Sequence, residues 1–193
     1  MLVMSAILEY PQKHPISAEE YLRMGEAGVF APEARLELIE GEILEMAPIG
    51  APHGGLVARL LRLFVQRAGP SAVVWAQSSV VISDHSVPQP DLALLKPRKD
   101  DYMGSLPGSS DVLLALEVSD STLRFDLRRK APLYARCGIA ELWVVDVNER
   151  VLHVFRGPAK DGYRNTFAAK AGESVACAAV PQVAVEVDEL FRV

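Results

Sequence analysis

Cysteine is scarce in this chain: Cys137 and Cys177 are the only two among 193 residues. No CxxC and no Cys/His spacing surrounds them. Neither a disulfide framework nor a zinc site is expected, and both read as reduced thiols of a cytoplasmic protein. Long apolar runs are missing as well. No stretch approaches the roughly 20 residues that span a bilayer, so no membrane association is expected. The first segment, Met1-Leu2-Val3-Met4-Ser5-Ala6-Ile7-Leu8-Glu9, lacks a basic n-region and a cleavage-type h-region, which speaks against a signal peptide. Repeats, linkers and low-complexity stretches are absent too, so residues 1–193 are expected to form a single domain. Positive charge is in deficit: the net charge of −5 argues against a protein that coats nucleic acid without specificity.

What positive charge there is clusters. Residues 121–136 carry Arg124, Arg128, Arg129, Lys130 and Arg136 against Asp126, a local +4 that leaves −9 on the rest of the chain. Such a strip is compatible with phosphate contacts by Arg124, Arg128 and Arg129, but taken by itself it favours a solvated helix face.

Element signals run in a clear order. Ser17-Ala18-Glu19-Glu20 is a capping box that opens a helix ending near Gly25 or Gly28. Alternating apolar positions from Leu36 to Met46, centred on Glu40-Gly41, predict a tight hairpin. His53 to Ala68 reads as a helix stopped by Gly69-Pro70. Strands are expected at 72–83, 90–95, 111–118, 141–147 and 151–156, with a helix over 121–136 and a weaker β tail to the C-terminus. Strands in succession, then a helical crossover, imply an α/β domain: a mixed sheet flanked by helices, with an N-terminal helix and hairpin and a C-terminal β extension.

One acid is out of place in this pattern. Glu117 ends the run Val112-Leu113-Leu114-Ala115-Leu116-Glu117-Val118, otherwise a buried strand, where a carboxylate is costly unless paired or ligated. Asp91, after Pro90, heads the preceding apolar strand, and neighbouring strands would bring the two acids within about 6 Å. Their mutual repulsion turns into attraction if they share a divalent cation, Mg²⁺ or alternatively Mn²⁺. At about 100° per residue, Leu123, Leu127, Lys130 and Tyr134 fall within about 60° of one another, apart from the arginines. This stripe places Lys130 toward the sheet, roughly 4–5 Å from Glu117 or Asp91, with Asp126 one turn earlier to hold the ammonium by an i,i+4 pair. The plainer alternative is a lysine snorkelling out past Tyr134, and Pro132 threatens the helix itself. Two carboxylates, a cation and a lysine suit phosphodiester hydrolysis. Trp143, Tyr134 and Leu142 read as core, and Gln77 is a weaker polar candidate.

These residues, with the motifs Leu36-Glu37-Leu38-Ile39-Glu40-Gly41-Glu42, His53, Pro90-Asp91-Leu92-Ala93, Glu117-Val118-Ser119-Asp120-Ser121-Thr122, Asp126, Lys130-Ala131-Pro132-Leu133-Tyr134-Ala135 and Gly138-Ile139-Ala140-Glu141-Leu142-Trp143-Val144-Val145-Asp146, resemble the PD-(D/E)XK nuclease superfamily. More narrowly they resemble its widespread bacterial Uma-type group of restriction-endonuclease-like proteins. The resemblance implies a restriction-endonuclease-like fold, DNA as substrate, and Asp91 and Glu117 as metal ligands. The superfamily pattern wants lysine two residues after the glutamate, where this chain has Ser119; the Uma-type group supplies it from the following helix, which here is Lys130. Glu37 and His53 belong to the same motif set. Glu37 is either a third carboxylate or an ordinary hairpin residue opposite Leu44. His53 either contacts phosphate or water, or is a helix cap or a satisfied core histidine, the plainer reading. An endonuclease of this kind is expected to work as a homodimer, so that two sites cut two strands. The competing expectation is a catalytically silent nuclease fold that binds nucleic acid or protein.

Overall fold

Ser17 caps α1 (Ala18–Glu26) as its sequence signature predicts: its hydroxyl accepts from the Glu20 amide while the Glu20 side chain accepts from the Ser17 amide. The structure, a computed structural model, describes residues 12–192; the segment Met1–Glu9, read against a signal peptide, lies outside the described residues. The hairpin follows as β1 (Leu36–Ile39) and β2 (Glu42–Glu45). Both turn residues take positive φ, 52° at Glu40 and 81° at Gly41, as a two-residue turn that follows strand twist requires. Glycine is needed at 41 for a second reason, since a Cβ there would stand 2.7 Å from that of Pro15.

The apolar stripe from Leu56 to Phe64 builds α2 (Ala51–Ala68), with Pro52 in its first turn, where a missing N–H is harmless. Six strands form the main sheet in the order β3-β4-β5-β6-β7-β8: β3 (Val73–Ala76), β4 (Leu92–Leu95), β5 (Val112–Ser119), β6 (Glu141–Asp146), β7 (Val151–Ala159) and β8 (Gly162–Ala169). All neighbours run antiparallel except β5 and β6. That parallel pair demands a crossover, which residues 120–140 supply. A second small pair, β9 (Ser174–Ala176) with β10 (Ala184–Glu186), and α5 (Val187–Phe191) complete the C-terminal part.

Each sheet face buries its own apolar cluster. Leu92, Leu94, Leu114, Leu116, Val118 and Trp143 pack with α2 and the C-terminal valines; Ala93, Ala115, Leu142 and Val144 pack with Tyr134 and Leu133 from the crossover. Among the described residues no helix is long and apolar enough to cross a membrane.

Two expectations change. The strand expected at 72–83 stops at Ala76, because Gln77 turns to φ 43° and its amide donates to the Asp91 carbonyl; beyond it only single bridges at Val81 and Ser83 remain. The helix expected over 121–136 is three pieces: α3 (Leu123–Phe125), a π turn (Asp126–Lys130) and α4 (Ala131–Arg136). The Ala131 amide bonds the Asp126 carbonyl five residues back. Pro132 explains the wider turn: it offers no N–H to the carbonyl four residues before it, and its ring would crowd that carbonyl in a regular helix.

Candidate active site

Strand alternation decides which side chains of β5 meet which layer. Leu114, Leu116 and Val118 point to α2, which leaves Ala115, Glu117 and Ser119 facing the crossover helices. In β4 and β5, Leu92 pairs with Leu116 and Ala93 with Ala115. Continuing that register by one residue sets Asp91 across from Glu117. Glu37, Asp91, Glu117 and Lys130 are all buried, at 3%, 7%, 3% and 2% exposure.

These four groups share one cleft, whose lining includes His53, Gln89 and Asp126. The Lys130 ammonium donates to Glu37 Oε1 at 3.0 Å and to Glu117 Oε1 at 3.1 Å. The Tyr134 hydroxyl donates to the same Glu117 oxygen at 2.8 Å. Asp91 Oδ2 accepts from the Val118 amide at 2.8 Å and lies 3.1 Å from His53 Nε2. Glu37 Oε1 also accepts from the Gln89 amide, while Glu37 Oε2 and His53 Nδ1 are buried with no partner among the described residues. Buried polar atoms are nearly always satisfied, so these two, both on residues lining one cleft, are groups to which a water or a ligand could bond.

Burial holds Glu117 well above the ordinary carboxylate range, helped by Asp126, Glu37 and Asp91 and opposed by Lys130. For Lys130, burial pulls down, but the surrounding carboxylates of Glu117, Glu37 and Asp126 prevail and hold it above the ordinary lysine value. Lys130 is therefore an ammonium. Burial and the neighbouring Glu117 likewise keep the Tyr134 phenol protonated, and hence a donor.

Asp126 does not play the part its spacing suggested. Its Oδ2 accepts from the Ser119 hydroxyl at 2.7 Å and the Thr122 hydroxyl at 2.6 Å, and it forms no ion pair with Lys130. The π turn breaks the i,i+4 relation, so Asp126 acts on Lys130 only through its charge. Ser119, where the superfamily pattern has lysine, is buried and bonded to Asp126, while the ammonium beside Glu117 comes from Lys130. The basic strip divides. Arg129 is tied to Glu42 at 2.6 Å and Glu40 at 3.5 Å, so it is an internal tie rather than an open phosphate contact. Arg124 and Arg128 are exposed and carry no carboxylate partner among the described residues. Gln77 is exposed and lies outside the cleft lining.

Sequence reasoning missed two residues that line the cleft, Gln89 and Arg35, and the buried Tyr134 hydroxyl that bonds Glu117. Tyr134 is core, as expected, yet a buried phenol needs a partner, and that rule was the available signal. Tyr134→Phe keeps the ring and removes one bond to Glu117. We expect a loss of about 1–2 kcal/mol in urea unfolding with an unchanged circular dichroism spectrum. An unchanged unfolding midpoint would show that the hydroxyl does not hold Glu117.

Whether a metal fits can be judged from the donors. Among the described residues no group of three or more His, Cys, Asp or Glu is gathered to enclose an ion. The candidate ligands are two carboxylates beside an orphan carboxylate oxygen, in a space of about 60 Å³. Hard oxygens, few in number, match Mg²⁺ or Mn²⁺, which keep waters and draw further ligands from a substrate phosphate.

Comparison with known proteins adds the following. The model of the Uma2 family, described as "Putative restriction endonuclease", matches residues 18–188. No curated protein matches the chain. The fold is similar to that of a crystal structure titled as a "putative nuclease belonging to DUF820" from Anabaena variabilis ATCC 29413, with a TM-score of 0.72 over 92% of this chain and 98% of that one. At 18% identity that likeness speaks for the fold.

Proposed function

The chain belongs to the Uma2 family, and from that premise we propose that it is a metal-dependent DNA endonuclease acting through Asp91, Glu117 and Lys130, with Glu37 and His53 beside them. One observation carries the reading: three acids and a lysine are buried together in one cleft, with a carboxylate oxygen left unpartnered. A purely structural cluster would close its own hydrogen bonds.

Asp91 and Glu117 would hold Mg²⁺ or Mn²⁺, whose chemistry there is to polarise the phosphoryl oxygen and lower the pKa of a bound water. The protein's own groups prepare that binding. His53 and the Val118 amide fix Asp91 through Oδ2, which leaves Oδ1 for a ligand. Lys130 and Tyr134 fix Glu117 through Oε1, which leaves Oε2. As an ammonium, Lys130 cannot accept a proton, so its role is to orient Glu117 and face the negative charge that builds on phosphorus. Glu37 Oε2 is the oxygen free to take the proton of the attacking water. Arg124 and Arg128 reach flanking phosphates. Two copies would pair to cut both strands. A cytoplasmic location fits the two unbridged thiols.

The test is cleavage of supercoiled, linear and single-stranded DNA with Mg²⁺ or Mn²⁺, an EDTA control, and light scattering for the dimer. Metal-dependent nicking followed by linearisation is the expected result. No cutting of any substrate, with no metal binding by calorimetry, would make the nuclease fold a silent binding module instead.

A further inference from the structure

Arg35 is a cleft residue with no place in the scheme above. It immediately precedes β1 and stands two positions before Glu37, the spacing that sends two side chains to one face of a strand. Its guanidinium NH1 donates to the Ala47 carbonyl at 2.6 Å, and its own carbonyl accepts from the Met46 amide at 2.8 Å. Side chain and backbone are thus held against the segment that leads into α2.

The charge inventory of the cleft singles it out. Five carboxylates line the cleft: Glu37, Asp91, Glu117, Asp120 and Asp126. Two permanent cations line it, Lys130 and Arg35. Lys130 is engaged with Glu37 and Glu117. Arg35 forms no ion pair among the described residues, and its one side-chain partner is a neutral carbonyl. A guanidinium has five donors in a rigid fork, so most of them and the whole charge remain available to an anion.

Size says what that anion can be. About 60 Å³ is room for only a few waters, which suits a backbone phosphate at the cleft mouth better than a base or a sugar inside it. Ser121 and Thr122 line this cleft and also the adjoining depression that contains Arg124 and Arg128. One strand can therefore run from the cleft mouth over that rim to the two arginines, which have no carboxylate partner among the described residues.

Resting on the endonuclease reading, we propose that Arg35 clamps the scissile phosphodiester at the cleft mouth by its planar fork, with the neighbouring phosphates of the same strand carried past Ser121 and Thr122 to Arg124 and Arg128. Arg35 is then the residue that registers the strand against Glu117 and Asp91. Two hydrogen bonds from one plane fix a phosphate in orientation as well as position, which a point charge cannot do.

The experiment measures binding apart from cutting. Arg35→Gln and Arg35→Lys are made in the wild type and in an Asp91→Asn background, with Arg164→Gln on the edge strand β8 as control. Thermal melts establish that each variant folds. Binding of a labelled short duplex to the Asp91→Asn proteins is followed by anisotropy across a salt series. Arg35→Gln should flatten the slope of log K against log salt by about one, the signature of one lost phosphate contact, and Arg164→Gln should leave it alone. In the cutting protein, Arg35→Gln should slow single-turnover cleavage about tenfold to a hundredfold beyond its effect on binding. Arg35→Lys should restore the salt slope but not the rate, because the ammonium lacks the fork. An unchanged slope in folded Arg35→Gln overturns the proposal whatever the wild type does. Full rescue of the rate by lysine overturns the clamp as well. If the wild type never cuts but the slope still falls by one, the phosphate contact stands and the endonuclease reading alone fails.

Discussion

Glu117→Gln and Asp91→Asn are expected to abolish metal-dependent cleavage while leaving the fold intact. Outer partners of metal ligands already cost about 10–100-fold when changed, so loss of a ligand itself should cost at least about a hundredfold. The fold should survive, because both substitutions keep shape and an acceptor oxygen for the donors at 3.1 Å and closer that hold each side chain. Stability and pH make the prediction sharper. Burial holds Glu117 above its ordinary value of 4.5, so the folded protein binds that proton more tightly than the unfolded chain does. A raised folded pKa means stability that is fully present below the unfolded value and lost as pH rises through the folded one. The metal-free wild type should therefore melt lower as pH climbs above the ordinary carboxylate range, and Glu117→Gln should show a shallower decline. A cation that replaces the proton at Glu117 reverses the trend: Mn²⁺ affinity should rise with pH, and binding should release protons, seen calorimetrically in buffers of different ionisation enthalpy. Proton release unchanged by Glu117→Gln would remove Glu117 from the metal site, and cleavage surviving both substitutions would remove the two-carboxylate scheme.

Much of this arrangement can be read from the residues because it rests on local signals and on parity. The Ser17 capping box, the Glu40-Gly41 turn and the alternation of β5 are each settled within a few residues, and each appears where expected. Asp91 opposite Glu117 follows from two neighbouring strands joined by a loop. Lys130 points inward although the helix carrying it is not the regular one assumed, since Leu133, Tyr134 and Lys130 are still buried around the π turn. What could not be read depended on distant partners. Asp126 turns to Ser119 and Thr122 because β5 ends beside it, a fact of packing rather than spacing. Arg129 belongs to the hairpin 87 residues earlier, so the basic strip is less open than its sequence. Gln77 ends its strand through a left-handed backbone that no side-chain pattern announces. Arg35 lay one position outside the hairpin motif, and only its pairing status, seen in three dimensions, distinguishes it from an ordinary surface arginine.

Lys130→Met should be among the most destabilising single changes in the molecule, and more so at high pH than at low. The ammonium is 2% exposed and bridges two carboxylates, Glu37 at 3.0 Å and Glu117 at 3.1 Å. Methionine fills nearly the same volume, so the loss is electrostatic rather than a cavity. Removing one partner from a buried ionic cluster leaves uncompensated charge and costs about 3–5 kcal/mol. For a domain of this length that corresponds to roughly 10 °C in melting temperature. The pH dependence follows from the acids left behind. Lys130 is the group that opposes the rise of Glu117, so without it Glu117 moves further up, and the stability lost on ionisation grows as pH increases. As pH falls Glu117 takes up its proton and the penalty shrinks. Glu37→Gln in the same chain removes one of the stranded charges and should recover part of the loss, so the double-mutant cycle should show a coupling of at least about 1 kcal/mol. Urea unfolding of the four proteins at two pH values reads all of this at once. A cost below about 1 kcal/mol, independent of pH, would mean that Lys130 reaches water and that the cluster is not the buried ionic centre on which the catalytic scheme depends.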